Sequence, residues 1–389
     1  MGIVSGTTAD RGPADHPAAG VRAGHSSWLE ALFRETLTAT FWFDSGPAGK
    51  PHPVRLRFSG RCLGISGKPR PGDRFEQEEL IDCVVPGTGP FSITTRVSGV
   101  NPGEWLVTAE PVTSWDGARR LRPFGKSRHG RFRSVNPAVW RWRAQASSSG
   151  LSAQVRTGLG PLASLPGVAL GAWAVLVALG MAVGFTFEAA VLGHHRLPVG
   201  QAIALSLGVT VLGIGGAKAW YAALHGRLDG WCIQGFLLAA AVGGVAALAL
   251  VQAPFGTYLD AITPGLFFGL AIGRLGCFLG GCCSGRPSRS RFAIWASDRR
   301  VGTRRLPTQL LESLLCFSIG TAALALAIQR PAPATGAVFI AAVAVYTLCR
   351  QFILRLRAEP RRSQIGWVLT ATAAAAVLLA DLLVWATKI

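Results

Sequence analysis

The chain has 389 residues, 50% of them hydrophobic, and a formal net charge of +19 at pH 7. Such a charge would suit a nucleic-acid-binding protein, but the sequence lacks zinc-finger spacing, aromatic RNA-binding motifs and a recognition-helix signature. Beside a membrane the same charge favours anionic lipid headgroups. The composition changes near residue 160, where a polar, arginine-rich part gives way to one dominated by Ala, Leu, Val and Gly.

The polar part predicts a disordered N-terminus followed by a β-domain. Residues 1–28 are rich in Gly, Ala, Pro, Asp and His and contain no apolar stretch of the signal-peptide kind. Over 29–115, short runs of alternating apolar and polar residues lie between Gly- and Pro-containing turns, which predicts a small all-β, sandwich-like domain. It shows no catalytic constellation, so we expect an interaction module. The expected strands cover residues 36–43, 54–58, 78–85, 91–97 and 104–109.

Residues 116–160 form a basic linker with interleaved aromatic side chains. Such a segment can bind nucleic acid, but directly before a membrane span it more commonly lies on an anionic bilayer surface. We therefore expect the linker to contact the lipid bilayer, and we expect no nucleic acid as a partner.

Residues 161–389 predict an α-helical polytopic membrane protein with about seven transmembrane helices. A membrane helix needs about 20 mostly apolar residues, and frequent Gly and Ala favour close packing between such helices. Basic residues are concentrated in the linker, after the fourth span and after the sixth, which places that side in the cytoplasm by the positive-inside rule. The expected spans are 163–186, 200–224, 231–252, 258–282, 307–329, 335–355 and 365–386.

Polar residues on the basic side carry the candidate chemistry. At the end of the fourth span, residues 273–278 (GRLGCF) place Arg274 in a glycine-rich helix end, where backbone amides can approach a ligand closely. A snorkelling arginine beside ordinary small-residue packing would give the same pattern. Arg350 and Arg357 are seven residues apart, so they share a helix face if the sixth helix continues. Converging arginines can bind a phosphodiester, whereas scattered arginines would only anchor the helices.

These motifs resemble, in order, those of the bacterial prolipoprotein diacylglyceryl transferases over about residues 165–389. Residues 273–278 with Gly285 are similar to the family signature Gly-Arg-(Leu/Ile)-Gly-Asn-Phe-x-Asn-Gly-Glu-x-x-Gly. Residues 307–312 (PTQLLE) are similar to His-Pro-Ser-Gln-Leu-Tyr-Glu, and residues 216–221 (GAKAWY) to Gly-x-Arg-x-x-Tyr. Asp260, Pro264, Gly336, Tyr346, Arg350 and Arg357 also stand at matching places.

The resemblance implies a multi-pass enzyme of the bacterial plasma (inner) membrane. It would move a diacylglyceryl group from phosphatidylglycerol to the lipobox cysteine in the signal peptide of a prolipoprotein, with no cofactor and no metal. By this resemblance the catalytic positions are Arg274, Arg357 and Gln234. The substrate-binding positions are Lys218, Gly276, Cys277, Gly285, Gln309, Glu312 and Arg350.

Several family positions carry different residues here. Gln234 and Leu306 stand where the family has histidines, and Cys277 and Cys282 replace an asparagine and the glutamate of the signature. Glutamine cannot act as a base. His225 is the nearest replacement, with an interfacial structural role as the alternative. The resulting alternative function is a diverged lipid-binding membrane protein that has lost or changed the transferase chemistry. A transporter is disfavoured because no inverted repeat is visible.

Two questions stay open at this point. The eight cysteines do not suggest a disulfide or metal framework, yet Cys282 and Cys283, near arginines, are candidates for reactive thiols or an acyl acceptor. The family's arginine-bearing side faces away from the cytoplasm, whereas the positive-inside rule places it within. We expect the family orientation for the helical part, and leave the side of the β-domain open.

Overall fold

The computed structural model describes residues 35–46, 49–112, 152–159, 165–226, 230–251, 254–329, 336–359 and 364–386. The disordered N-terminus expected over 1–28 and the linker residues 116–151 lie outside these ranges. The strands in chain order are β1 (Glu35–Asp44), β2 (His52–Cys62), β3 (Arg74–Val84), β4 (Pro90–Ser98), β5 (Glu104–Pro111), β6 (Ser152–Arg156), β7 (Gly158–Leu159), β8 (Ile294–Ser297) and β9 (Val301–Arg305). The helices are α1 (Ala172–His194), α2 (Val199–His225), α3 (Ile233–Leu250), α4 (Phe255–Leu279), α5 (Thr308–Gln329), α6 (Ala337–Leu354) and α7 (Gln364–Ala386).

The strands form two antiparallel sheets with an apolar core. One sheet has the order β7-β1-β4-β9-β8 and the other the order β3-β2-β5-β6. Alternate residues of β1 and β2 point inward, as the period of two requires, and Phe43, Phe58 and Trp105 are almost fully buried in this core. The β-rich N-terminal region expected from the sequence is therefore present.

Four strands come from outside the range 29–115. Residues 152–159, assigned to the linker in the sequence analysis, form β6 beside β5 and β7 beside β1. The hairpin β8–β9 lies between α4 and α5, and β9 pairs with β4 through Ser92 and Gly302. Trp295 of this hairpin stacks on Trp42 at 5.4 Å and donates a hydrogen bond to the Pro90 carbonyl. The sandwich is thus completed by a loop of the helical part.

Six helices in the described part of the chain, α1 to α6, are long and apolar enough to cross a membrane. The apolar stretch of α7, Val368–Val384, is shorter than these. The prediction of a polytopic helical membrane protein is confirmed, while the count of about seven spans stays a prediction.

Close glycine contacts join the helices. A Cβ atom on Gly265 of α4 would lie 2.2 Å from the Gly184 oxygen of α1, so these backbones touch only because side chains are missing. In the same way, a Cβ on Gly235 of α3 would lie 2.4 Å from the Gly216 oxygen of α2. Helix α4 packs against α1, α5 and α6, which makes it the centre of the bundle.

Several span boundaries differ from the sequence expectation, and the first helix ends at His194 rather than near 186. The first helix begins at Ala172 rather than near 163, because Leu165 and Val168 form a short β-bridge and Gly171 adopts a left-handed φ of 74°. The fourth helix ends at Leu279 rather than 282, because Gly281 is left-handed with φ 67°.

Candidate functional site

A buried carboxylate joins three arginines at one end of the helix bundle. Glu312 in the second turn of α5 has a side chain that is 1% exposed. Its carboxylate oxygens lie 2.9 Å from Arg274 Nη2, 3.4 Å from Arg350 Nε and 3.0 Å from Arg357 Nη2. The Tyr346 hydroxyl also donates to Glu312 at 2.8 Å. One carboxylate therefore faces three guanidinium groups, and an excess of positive charge remains.

Different elements bring these side chains together. Arg274 comes from the last turns of α4, and Glu312 from the start of α5. Tyr346 and Arg350 are four residues apart on α6, so they lie on one helix face, and Arg350 Nη1 donates to the Tyr346 hydroxyl at 3.2 Å. The Glu312 cluster, defined as Arg274, Glu312, Tyr346, Arg350 and Arg357, thus links three helices.

Arg357 reaches the cluster by a route that the sequence analysis did not foresee. The sixth helix ends at Leu354, so Arg350 and Arg357 do not share a continuous helix face. Arg357 instead forms a β-bridge with Gly285, in the turn after α4. Hydrogen bonds from Arg286 N to the Leu356 oxygen and from Ala358 N to the Ser284 oxygen continue this pairing. The two arginines were expected to share a helix face only if the helix continued, and it does not, because backbone pairing with the signature turn replaces the next helical turn.

Gly285 lies at a point where no side chain fits. A Cβ atom there would be 2.1 Å from the backbone oxygen of Leu306. Arg305, which is 3% exposed, donates to the Gly285 oxygen at 3.2 Å and forms a 2.7 Å ion pair with Asp298. Burial lowers the pKa of the Arg305 guanidinium, and the Asp298 carboxylate opposes this change. The β8–β9 hairpin thereby supports the turn with which Arg357 pairs.

Gln309 and Thr308 hold the same turn through its backbone oxygens. Its amide nitrogen donates to the Cys282 oxygen at 2.8 Å, and the Thr308 hydroxyl donates to the Cys283 oxygen at 3.1 Å. Both residues are buried at the beginning of α5. Their contacts are to the backbone of the signature turn, so they position the turn.

Three cysteines gather here, Cys277 from the last turn of α4 and Cys282 and Cys283 from the turn that follows it. The Sγ atoms of Cys277, Cys282 and Cys283 all lie within 4.8 Å of one another. Hydrogen bonding with the Cys277 and Cys282 thiols lowers the pKa of the Cys283 thiol, and the charges of Arg357 and Arg274 act in the same direction. The expectation that the cysteines form no metal framework did not foresee this group, because a turn rather than a spaced motif brings them together.

The remaining predicted site residues lie in other surroundings. Lys218 Nζ sits 4.3 Å from the centre of the Trp231 ring, and Gln234 is exposed and accepts a hydrogen bond from Cys232 Sγ at 2.8 Å. These contacts lie within α2, α3 and the turn before α3. His225, the suggested replacement base, is exposed, stacks on Tyr221 at 4.3 Å and bonds to its backbone oxygen.

Gly276 contacts α1. A Cβ atom there would lie 3.2 Å from Leu176 Cβ and 3.4 Å from Trp173 Cα, so this glycine allows close helix packing. Tyr346, by contrast, was noted only as part of a motif and lies at the centre of the cluster. Its spacing of four from Arg350 was the available signal. No signal in the sequence pointed to Arg305, because its burial depends on the pairing of β9 with β4, which is distant in sequence.

The arrangement suits an anionic ligand at the end of the helices. Arg350 is 32% exposed and Arg274 15%, so part of this positive charge is accessible. Nε of Arg357 is buried without a hydrogen-bond partner among the described residues, which leaves a donor unused. Guanidinium groups bind phosphate oxygens well, since their paired N–H donors match the geometry of two oxygens.

Proteins of a known family have sequences similar to the helical part of this chain. The sequence profile of the prolipoprotein diacylglyceryl transferase family matches residues 161–387. A phosphatidylglycerol–prolipoprotein diacylglyceryl transferase from Clostridium tetani is 31% identical over 106 residues, 26% of this chain and 42% of that protein. One from Dehalococcoides mccartyi is 30% identical over 126 residues, which are 31% of this chain and 48% of that protein. A third, from Clostridium perfringens, is 29% identical over 140 residues, which are 35% of this chain and 53% of that protein.

The alignments with these relatives cover only part of each protein. The chain spans about half the length of the curated relatives that it matches. The family profile, however, covers more than half of the chain and includes α1 to α7. This chain belongs to the prolipoprotein diacylglyceryl transferase family.

Proposed function

We propose that this protein transfers a diacylglyceryl group from phosphatidylglycerol to the cysteine thiol of prolipoproteins in the bacterial plasma membrane. The observation that carries the proposal is the Glu312 cluster, where three arginines meet one carboxylate at the end of apolar helices. An anionic phosphodiester is the part of phosphatidylglycerol that this charge would bind. The acyl chains would lie in the bilayer beside the helices.

In this reaction the substrate sulfur attacks the glyceryl carbon that is bonded to the phosphate oxygen. The carbon–oxygen bond breaks, a carbon–sulfur bond forms, and glycerol phosphate leaves with the bonding electrons. Arg274 and Arg357 would stabilise the negative charge that grows on the leaving phosphate, because charge–charge interactions are strong in a site with little water. Glu312 would hold these guanidiniums in place.

The thiol must lose its proton before or during attack. Gln234 cannot accept that proton, and Glu312 is already engaged by three guanidinium groups. The excess positive charge of the cluster would instead favour the thiolate form of the incoming cysteine. The proton would pass to water at the exposed edge of the site, beside Arg350.

The β-sandwich and the Glu312 cluster share one side of the membrane in this proposal, because β9 runs directly into α5. We propose that the sandwich recognises or regulates the prolipoprotein and that this side faces outward. The basic loop after α4 has a structural reason for its charge. Arg299 donates to the Gly280 oxygen, Arg304 to the Ala293 oxygen and Arg305 to Asp298. The number of arginines there is thus a poor guide to the cytoplasmic side.

A second candidate function is headgroup binding without transfer. It is favoured by the position of Gln234, which is exposed and bonded to Cys232. The cysteines in the signature turn favour it as well. In that case the cluster would hold phosphatidylglycerol, and no carbon–sulfur bond would form.

Complementation separates the two functions. The protein is expressed in bacterial cells depleted of their own transferase, and lipoprotein maturation is followed by gel mobility. Transfer predicts rescue by the unaltered protein and loss of rescue with Arg274→Ala at equal expression. Absence of rescue by a correctly inserted protein, together with retained binding of phosphatidylglycerol in detergent, would favour the second function.

A further inference from the structure

The three thiols at the end of α4 are brought together by the way the helix stops. Gly281 adopts a left-handed φ of 67°, Gly280 N donates to the Gly276 oxygen and Cys282 N donates to the Cys277 oxygen at 3.0 Å. The bond from Cys282 N to the Cys277 oxygen spans six residues, as in a Schellman cap, and it brings the two residues at its ends close together.

Glycine is required at the cap, so the conformation of the turn is strongly determined. A Cβ atom on Gly281 would lie 2.8 Å from Val168 Cγ2. Cys283 follows with a positive φ of 56°, which turns its side chain back toward the other two. The carbonyls of Cys282 and Cys283 are held by Gln309 and Thr308. Neighbouring elements therefore fix the arrangement of the thiols.

The distances suit a single ion bound by three sulfurs. A zinc–thiolate bond is about 2.3 Å long, which separates three sulfur ligands by about 4 Å. The Sγ atoms here are within 4.8 Å of one another, so a small contraction is enough. Among the described residues, this group contains no carboxylate and no imidazole. Hard cations such as Mg²⁺ and Ca²⁺, which prefer oxygen ligands, are therefore disfavoured.

The charge around the thiols suits thiolate ligands. Arg357 is bridged to Gly285, two residues after Cys283, and positive charge near a cysteine stabilises its thiolate. Three thiolates around one divalent ion make a complex with a net negative charge, which the arginines of the Glu312 cluster would neutralise in part. The positive charge of these arginines would repel a metal ion that is held mainly by electrostatic attraction. A thiophilic ion, bound through strong metal–sulfur bonds, would still be held.

We propose that Cys277, Cys282 and Cys283 form a three-thiolate site for a thiophilic ion of the zinc, cadmium or copper(I) type. The site lies beside the Glu312 cluster and is independent of whether the protein transfers diacylglycerol. An occupied site would place an anionic metal–thiolate complex next to the arginines that the lipid phosphate is proposed to use. Metal binding and phosphatidylglycerol binding are therefore expected to weaken each other.

The test is a titration of the purified full-length protein with Cd²⁺ in detergent, after removal of metals and with a phosphine reductant. The proposal predicts one Cd²⁺ per chain by elemental analysis and an ultraviolet thiolate-to-metal absorption of the intensity given by three sulfurs. Cd²⁺ should also protect Cys282 and Cys283 from alkylation, as measured by peptide mass spectrometry. These readouts use the unaltered chain and do not depend on the folding of a variant.

Substitutions then identify the ligands. Changes to groups that only hydrogen-bond to a metal ligand weaken binding by about 10–100-fold. Each of Cys277→Ser, Cys282→Ser and Cys283→Ser should therefore weaken Cd²⁺ binding by at least that factor. Cys83→Ser, at an exposed position in the sandwich, is the matched control and should bind as the unaltered chain does.

Three results would overturn the proposal. The first is the absence of saturable Cd²⁺ binding with thiolate absorption. The second is Cd²⁺ binding that one of the three serine substitutions leaves unchanged, because the substituted cysteine would then not be a ligand. The third is a disulfide between two of the three cysteines that persists in the protein isolated without reductant and accounts for their proximity.

Discussion

Arg357 and Glu312 are 45 residues apart in sequence, and Arg357 Nη2 lies 3.0 Å from Glu312 Oε2. Glu312 stands on a helix, whereas Arg357 lies beyond the end of α6 and is held by its β-bridge to Gly285. The ion pair therefore depends on the backbone of the signature turn. Residues that fix this turn should affect the arginine cluster without touching it.

Replacement of Gly285 by alanine tests that dependence. The new Cβ would lie 2.1 Å from the Leu306 oxygen, so the turn must move away from Leu306 and carry Arg357 with it. Overpacking of this kind typically costs about 1–3 kcal/mol. We expect a lower thermal unfolding midpoint in detergent and a large loss of lipoprotein maturation.

Gly273→Ala is the matched control in the same signature, because a Cβ atom there has nothing within 4 Å. Alanine in a helix interior is favoured over glycine by about 1 kcal/mol, so the midpoint should stay the same or rise. Equal behaviour of the two variants would contradict the role given to Gly285.

Glu312→Gln removes the charge that three guanidiniums share. Breaking a buried ion pair by removing one partner costs about 3–5 kcal/mol, because the remaining charge is left uncompensated. We expect a clearly lower unfolding midpoint and loss of maturation. Glu188→Gln is the control, since Glu188 is buried among the helices but bonds to the Ser206 hydroxyl at 2.6 Å. A midpoint in Glu312→Gln that is no lower than in Glu188→Gln would refute the central position of Glu312.

The β8–β9 hairpin is expected to couple the sandwich to the site. Trp295→Ala removes a side chain that is 1% exposed and stacked on Trp42, and such changes cost about 3–5 kcal/mol. We expect the sandwich to become sensitive to limited proteolysis and maturation to fall. Phe292→Ala, at a position 66% exposed in the same loop, should leave both unchanged. Proteolysis of both variants at the rate of the unaltered chain would show that the hairpin is not needed.

Labelling of Cys83 decides the orientation. This thiol is free and exposed on β3, and the sandwich lies on the same side as the Glu312 cluster. A membrane-impermeant maleimide should label Cys83 in spheroplasts before lysis, as read from the Cys83-containing peptide by mass spectrometry, and Cys83→Ser should remove that labelled peptide. Labelling that appears only after lysis would place the cluster in the cytoplasm.

Local sequence patterns predicted the elements better than their connections. Alternation identified β1 to β5, and apolar length identified the helices. The pairing of β9 with β4 joins Ser92 to Gly302, and nothing in either short segment signals a partner so distant in sequence. The expected sixth span, 335–355, agrees with the end of α6 at Leu354. The β-bridge between Gly285 and Arg357 was equally hidden, because it joins two loop segments that are far apart in the sequence.

The sequence predicted the charged residues of the candidate site, but not the roles of the residues that hold them in place. Arg274 and Glu312 stood out because ionisable groups in apolar helices are costly, and they form a 2.9 Å ion pair. The roles of Gln309 and Arg305 depend on backbone carbonyls that face them in the fold. Backbone positions of that kind cannot be read from residue types.

The most direct test of the central claim is transfer by the purified protein. Vesicles that contain the protein and phosphatidylglycerol are mixed with a synthetic prolipoprotein signal peptide bearing its lipobox cysteine, and the peptide is analysed by mass spectrometry. We predict a peptide that carries a diacylglyceryl thioether, release of glycerol phosphate, and loss of both with Arg274→Ala. An unmodified peptide with the unaltered protein, folded and binding phosphatidylglycerol, would contradict the proposed transferase activity.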